Sequence, residues 1–166
     1  MNIKKTATIV LSILSITTTC LANNYRYIYN SIPDNGFKAY MPYTAVTSKR
    51  SKQYKILNDK LAWTNHTNGV RMYGGYWCVA IGSGWGAKVG DKLDLYLANG
   101  TVIPCIMADQ KADRHTKNNN RVCISNGGVA EFIVDYKVFN KFKDRSGTVN
   151  FIPYWNSKII SIKVKN

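Results

Sequence analysis

The sequence predicts a mainly β protein, because short apolar runs rich in β-branched and aromatic residues follow one another at close spacing. Three of these runs are VRMY, YWCVAI and KLDLYLA, and glycines separate them. In the third run Leu93, Leu95 and Leu97 alternate with Asp94 and Tyr96, which is the period of a half-buried strand. Strands at this spacing, with little helix between them, are typical of a small barrel or sandwich.

Later runs continue the same pattern. Asn99 and Gly100 form a two-residue turn signal, so KLDLYLA and the following TVIPCIMA are expected to pair as a hairpin. Pro104 lacks a backbone N–H, which favours an edge or bulged position in the second of these strands. VAEFIVD predicts another strand, and YKVFNKFK is the one segment with helical spacing. The last strand, KIISIKV, is expected to place three apolar side chains on one side: Ile160, Ile162 and Val164.

The first residues have the pattern of a secretory signal peptide. A charged start, the apolar stretch ATIVLSILSITTT and the small residues before Asn23 predict cleavage after Ala22. We therefore divide the chain into a signal peptide at 1–22, an N-terminal lead-in at 23–68 packed on the barrel, and a β-barrel domain at 69–166. Within the lead-in, the tyrosine-rich start is expected to be irregular and SKRSKQYK to be a basic loop. The predicted location is outside the cytoplasm, in the periplasm, the cell envelope or the medium.

The chain is strongly basic, with 23 Lys and Arg against 9 Asp and Glu and a net charge of +14. Removal of Lys4 and Lys5 with the signal peptide leaves 21 minus 9, or +12. Such a charge favours a polyanionic partner, and for an exported protein we expect peptidoglycan or another anionic polysaccharide of the cell envelope. Nucleic acid is not expected as a partner, and the chain is expected to be a monomer. Alternatively, the basic side chains are spread over a solvated surface and bind no anionic partner.

Acidic residues are concentrated in one segment of this basic chain. Four of the nine carboxylates lie between Asn99 and Asp135, and two of them, Asp109 and Asp135, each follow a predicted strand. Asp113, His115 and Glu131 lie between those two and are second-tier candidates. For any single aspartate at a strand end, the alternative is a structural role, as a turn cap or as the partner of a nearby lysine.

Several short motifs in this order resemble a family of bacterial wall-active proteins. YWCVAIG, VGDKLDLYL, NG, IPCIMAD and EFIVD, within about residues 69–165, resemble the Asp-Asp-Asp domain, which is related to the catalytic domain of membrane-bound lytic transglycosylase A and to expansin-like barrels. The resemblance implies a six-stranded double-psi β-barrel with one or two short helices. Asp109 matches the second family aspartate and Asp135 the third. Gly82 stands where the first is expected, and Gln110-Lys111-Ala112 replaces the usual glycines.

The resemblance implies cleavage of peptidoglycan glycan strands, with Asp109 and Asp135 as the catalytic pair. In lytic transglycosylases one carboxyl group acts first as acid and then as base, and a hydroxyl of the sugar is the nucleophile. Such an acid needs a pKa raised by burial or by a neighbouring carboxylate. We assign three residues to substrate binding: Lys111, Trp85 and Tyr96. No cofactor is predicted, and no C-x-x-C spacing indicates a metal site.

Two other functions are alternatives. The first is a non-catalytic expansin-like module that binds peptidoglycan or another polysaccharide, and the absence of the first aspartate favours it. The second is a secreted basic toxin, such as a nuclease that uses Asp113 and His115. Export also permits a disulfide, and a bridge between Cys105 and Cys123 would close the base of the acidic loop, whereas buried, unpaired cysteines are the alternative.

Overall fold

The structure is a computed structural model that describes residues 24–143 and 147–166. The predicted signal peptide lies outside the described residues. The prediction of a mainly β fold is confirmed. In chain order the described strands are β1 (Tyr25–Asn30), β2 (Ala39–Pro42), β3 (Ala62–Thr64), β4 (Arg71–Tyr73), β5 (Tyr76–Gly82), β6 (Lys92–Leu97), β7 (Val102–Lys111), β8 (Thr116–Lys117), β9 (Val122–Cys123), β10 (Ala130–Val134) and β11 (Ile159–Lys165).

Two short α-helices accompany the strands, α1 (Lys52–Asn58) and α2 (Tyr136–Phe139). Three single 3-10 turns, Tyr43–Ala45, Ser83–Trp85 and Asp113–His115, follow strands or precede them. The helix predicted for YKVFNKFK is thus confirmed as α2, although only its first turn is α-helical.

Nine of the described strands form one mixed sheet, against the six predicted. Its main path runs in the order β1, β11, β6, β7, β5, β10, β2, and β3 and β4 join it through β5. β5 with β7 and β2 with β10 are parallel pairs, whereas the other pairs in the sheet are antiparallel. β8 and β9 form a separate two-stranded sheet.

The predicted hairpin is confirmed, because β6 and β7 are antiparallel neighbours on either side of Asn99 and Gly100. Pro104 pairs with Asp94 of β6, and the pairing of β7 with β5 begins only at Cys105. Pro104 therefore occupies a stretch of β7 that is paired on one side, where a missing N–H breaks no ladder bond. This is the edge-like position expected for it.

The N-terminal part is more regular than predicted. The tyrosine-rich start forms β1, which pairs with β11, and aromatic residues fit such a half-exposed strand well. The predicted basic loop contains α1 instead. Ser51 caps that helix by accepting the Tyr54 N–H at 3.1 Å, and Ile56 and Leu57 anchor it in the core.

The last strand is predicted correctly in position but not in the side chains that it buries. Ile162 and Val164 are fully buried, whereas Ile160 is 48% exposed and Ile159 is buried in its place. The register with β6 shifts between Ile159 and Ser161, so a bulge reverses the alternation at the start of the strand.

Both faces of the central strands are covered. One face carries the main core, which includes Trp85, Phe132 and Phe139. On the other face Leu57 of α1 packs with Ile133 of β10, in a second cluster that also holds Cys78, Ile106 and Ala108. Burying one such leucine contributes about 1.5–3 kcal/mol, so α1 is held by packing rather than by its own helix propensity.

Candidate functional site

A bulge in β7 sets the direction of Asp109. Val79 of β5 pairs with Met107, and Ala80 pairs with Asp109, so Ala108 is an extra residue on β7. One extra residue shifts the alternation of side chains, and it turns Asp109 away from the main core that contains Met107. Asp109 therefore lies on the face of the sheet that α1 covers.

Asp109 lies level with Glu131 across the sheet. Both pair with Ala80 of β5, Asp109 from β7 and Glu131 from β10, so two strand spacings, or about 10 Å, separate their backbones. Lys111 follows Asp109 by two residues, and its Nζ donates to Glu131 Oε2 at 2.7 Å. The Lys111 and Glu131 side chains are only 16% and 19% exposed. Three strands thus bring together Asp109, Lys111 and Glu131, which we call the acid–lysine cluster.

The surroundings of Asp109 favour its protonated form. Burial raises the pKa of the Asp109 carboxyl group above its usual value, and the charge of Glu131 raises it further. The backbone N–H of Gln110, the charge of Lys111 and the Gln53 side chain act in the opposite direction without cancelling that effect. A carboxyl group with a raised pKa is better suited to give a proton in acid catalysis than one at its usual value.

Asp135 lies elsewhere and caps α2. Its Oδ1 accepts the Lys137 N–H at 3.0 Å, and its Oδ2 accepts the Thr64 hydroxyl at 3.4 Å. Asp135 follows Glu131 by four residues, which corresponds to about 13 Å along the strand direction. The structure therefore does not bring the two predicted catalytic residues, Asp109 and Asp135, to one end of the sheet.

Gly82 is a glycine because the space above it is filled. Its φ of −71° suits any residue. A Cβ atom there would lie 1.9 Å from the Asn120 carbonyl oxygen, and one at Gly84 would lie 1.8 Å from that of Asn119. The loop between β8 and β9 rests on this end of β5, and an aspartate at position 82 would displace it.

Three consecutive asparagines shape that loop. Asn118, Asn119 and Asn120 have φ of 53°, 55° and 59°, a left-handed turn that asparagine tolerates better than other non-glycine residues. Arg121 fixes the end of the turn, since its Nε donates to the Gly84 carbonyl at 2.9 Å and its own carbonyl accepts from Trp85 Nε1 at 3.0 Å. The polar tract TKNNNR thus forms a defined turn that covers the end of β5 at Gly82 and the following Gly84.

Asp113 and His115 lie in the 3-10 turn before β8. Asp113 Oδ1 accepts the Ser83 hydroxyl at 2.8 Å, whereas His115 Nε2 accepts from Arg114 Nε at 3.2 Å. These two candidates therefore have different partners. His115 also lines a surface cavity of about 350 Å³, which we call the Cys123 cavity and whose other lining residues are Lys111, Arg114, Cys123, Ile124 and Ser125.

Two of the residues assigned to substrate binding do not belong to this site. Trp85 is 1% exposed and belongs to the main core, so its ring has no free face for a sugar. Tyr96 pairs with Val102, seven residues before Asp109, which places it about 23 Å along β7 from the acid. Lys111 alone of the three is in the acid–lysine cluster.

The predicted disulfide is not formed. Cys78, Cys105 and Cys123 are all free and buried. Cys105 lies in the middle of β7, in the main core, whereas Cys123 ends β9 and lines the cavity, so the two thiols belong to different environments. The alternative of unpaired cysteines is the one observed.

Four residues of the site were not predicted. The Gln53 side chain on α1 lowers the pKa of Asp109, and Arg114, Ile124 and Ser125 line the Cys123 cavity. The position of Gln53 depends on helix α1, and the apolar pair Ile56 and Leu57 is a sequence signal that could have predicted that helix. Arg114 and Ser125 lie in loops, where no period in the sequence marks them.

Comparison with known proteins finds no family model, no curated protein and no solved structure that matches the chain. Among the described residues, no helix is long and apolar enough to cross a membrane. The same residues contain no group of three or more His, Cys, Asp or Glu side chains placed to hold a metal ion.

Proposed function

We propose that the protein is an exported, cell-wall-active enzyme that cleaves glycan strands of peptidoglycan with Asp109 as its acid and base. The observation that carries this proposal is the position of Asp109, which is level with Glu131 across β5 and partly buried, so that burial and the charge of Glu131 raise its pKa. Glu131 takes the place that sequence reasoning gave to Asp135. The basic charge of the chain is suited to an anionic polymer such as the cell wall.

Asp109 can act in both halves of the reaction. As the glycosidic bond breaks, its carboxylic acid gives a proton to the leaving oxygen. The resulting carboxylate then takes a proton from a hydroxyl of the same sugar, whose oxygen closes on the anomeric carbon. Burial and then the charge of Glu131 raise the pKa of Asp109, whereas the charge of Lys111, which donates to Glu131, lowers it.

We also propose that the mixed sheet closes as a double-psi barrel. The two parallel pairs, β5 with β7 and β2 with β10, lie within a sheet whose other pairs are antiparallel. Removal of residues 1–22 during export belongs to the same proposal, and the mass of the protein secreted by its host cell tests it.

Digestion of purified peptidoglycan tests the enzymatic proposal. We expect the protein to release soluble anhydro-muropeptides, and Asp109→Asn to reduce the release at least about a hundredfold, in the range of acid–base catalysis. Asp135→Asn is the matched control, because it changes an aspartate of the helix cap, and it should retain most of the activity once its fold is verified by circular dichroism. Absence of release by the wild-type protein would contradict the proposal.

A second candidate is a polysaccharide-binding module, which a basic aromatic surface favours. Lys163 Nζ lies 4.1 Å from the centroid of the Tyr96 ring and 5.4 Å from that of Tyr25. Lys92 and Lys165 lie over Tyr76 at 4.6 and 5.6 Å. Rings and ammonium groups in this arrangement suit an anionic glycan. The surface is on strands β1, β5, β6 and β11.

Sedimentation with insoluble peptidoglycan separates the two candidates. If the protein is a binding module, Lys163→Gln should weaken co-sedimentation several-fold, Asp109→Asn should leave it unchanged, and no muropeptide should be released. Retention of full binding by Lys163→Gln would contradict a role of this surface.

A further inference from the structure

Among the residues that the structure describes, the lining of the Cys123 cavity includes three basic side chains and no carboxylate. Lys111, Arg114 and His115 contribute its charged and titratable side chains. The charge of Lys111 is already paired, since Lys111 donates to Glu131, and Asp113 accepts from Ser83. Within the described ranges, 24–143 and 147–166, Arg114 takes part in no ion pair. The cavity thus presents an arginine that forms an ion pair with no carboxylate of the described residues.

Cys123 is one of the residues that line the same cavity. Its Sγ lies 3.2 Å from Ser125 Oγ, and a tight turn fixes its backbone, with Cys123 N–H donating to the Gly128 carbonyl at 2.9 Å. Burial alone would raise the pKa of this thiol, but hydrogen bonds from Ser125 and Asn126 and the charge of Lys111 lower it below the usual value. The other two thiols behave differently, because burial raises the pKa of Cys78 to about 12 and that of Cys105 well above its usual value.

We propose that the Cys123 cavity is a binding site for a small carboxylate-bearing ligand, with Arg114 as its main cationic partner and the Cys123 thiol within reach of the bound molecule. The site would take a carboxylate arm and not a neutral group of the same size, since its polar lining donates and carries positive charge. The inference stands on the cavity and does not rest on glycan cleavage.

The two alkylating reagents iodoacetate and iodoacetamide provide a direct test, because they differ mainly in the carboxylate. In either reaction the Cys123 sulfur displaces iodide from carbon, so a carbon–sulfur bond forms as the carbon–iodine bond breaks. The rate at Cys123 is measured by mass spectrometry of its peptide, on the purified full chain, folded and in urea. We expect the iodoacetate-to-iodoacetamide rate ratio to be about fourfold higher in the folded protein, the effect of one unit charge at about 5 Å in water.

Variants assign the effect to the cavity. Arg114→Gln should return the ratio to its value in urea. Lys117→Gln is the matched control, because it removes one exposed charge from β8 that does not line the cavity, and it should leave the ratio high. Equal ratios in the folded and unfolded protein, an equal loss in both variants, or failure of folded Cys123 to react with either reagent would each overturn the proposal.

Discussion

At the scale of single residues, neighbours decide what each side chain can do. Asp109 and Asp135 are both aspartates that follow strands, and the sequence gives them equal standing. The structure separates them, because a bulge turns Asp109 into a half-buried position level with Glu131, whereas Asp135 has its hydrogen bonds at a helix start. Gly82 is likewise set by its neighbour, the carbonyl group of Asn120.

Substitution of Gly82 tests the close approach of the loop. Gly82→Ala places a Cβ atom against the Asn120 carbonyl, so we expect it to lower the free energy of unfolding by about 2–3 kcal/mol in urea titrations. Gly100→Ala is the control, because its φ of +86° is strained for alanine but nothing lies within 4 Å, and about 1 kcal/mol is expected. Equal losses in the two variants would show that the loop does not rest on Gly82.

The pH dependence of stability tests the state of Asp109. Its pKa is raised on folding, so the folded chain binds the proton more tightly than the unfolded chain between the two pKa values. The free energy of unfolding therefore falls as pH rises through that window, and above it the half-buried carboxylate destabilises the fold. We expect the free energy of unfolding of Asp109→Asn, compared with that of the wild type, to be more favourable at pH 7 than at pH 3. Urea titrations of both proteins at both pH values measure this difference. A relative loss over that range would contradict the raised pKa.

At the scale of elements, the seven-residue helix α1 contributes both to the core and to the surroundings of Asp109. It covers the second core cluster, and its Gln53 side chain lowers the pKa of Asp109. The helix is too short to be stable alone, so its cap and its two buried apolar residues hold it in place.

Removal of the cap of α1 is expected to be measurable. Ser51→Ala loses the acceptor of the Tyr54 N–H and should lower the free energy of unfolding by about 1 kcal/mol. Ser48→Ala is a matched control, since Ser48 contacts Ser51 through its backbone carbonyl, and it should change stability by less than about 0.5 kcal/mol. Thermal melts of the two variants provide the comparison.

The elements that the sequence predicts correctly are those whose residues show a repeating pattern or a turn signal over a few positions. The β6–β7 hairpin, β5, β10 and α2 each have an alternation, a turn signal or a helical spacing within a few residues. The bulges at Ala108 and near Ile160 do not, because they depend on pairing with a distant strand. A bulge reverses the face of the sheet on which the following side chains lie. The sequence therefore could not predict on which face Asp109 lies.

At the scale of the whole molecule, the sheet has a chemically distinct end. Residues on β7 and β10 form the acid–lysine cluster there, the loop with the left-handed turn covers β5 beside it, and the Cys123 cavity opens next to Lys111. Sequence reasoning named most of these residues, including Asp109, Lys111, Glu131 and His115. It could not predict that Asp109 and Glu131 lie level with each other, because both residues are aligned by their pairing with Ala80 on a third strand, β5.

The most direct test of this account is the pKa of the Asp109 carboxyl group, measured by NMR titration in three proteins. In the wild type we predict a pKa above the usual value of about 3.9. Glu131→Gln should lower it, because the neighbouring negative charge is removed and Lys111 is released, whereas Asp135→Asn should leave it unchanged. An ordinary pKa in the wild type, or a larger change in Asp135→Asn than in Glu131→Gln, would contradict the assignment of Asp109 and Glu131 as the functional pair.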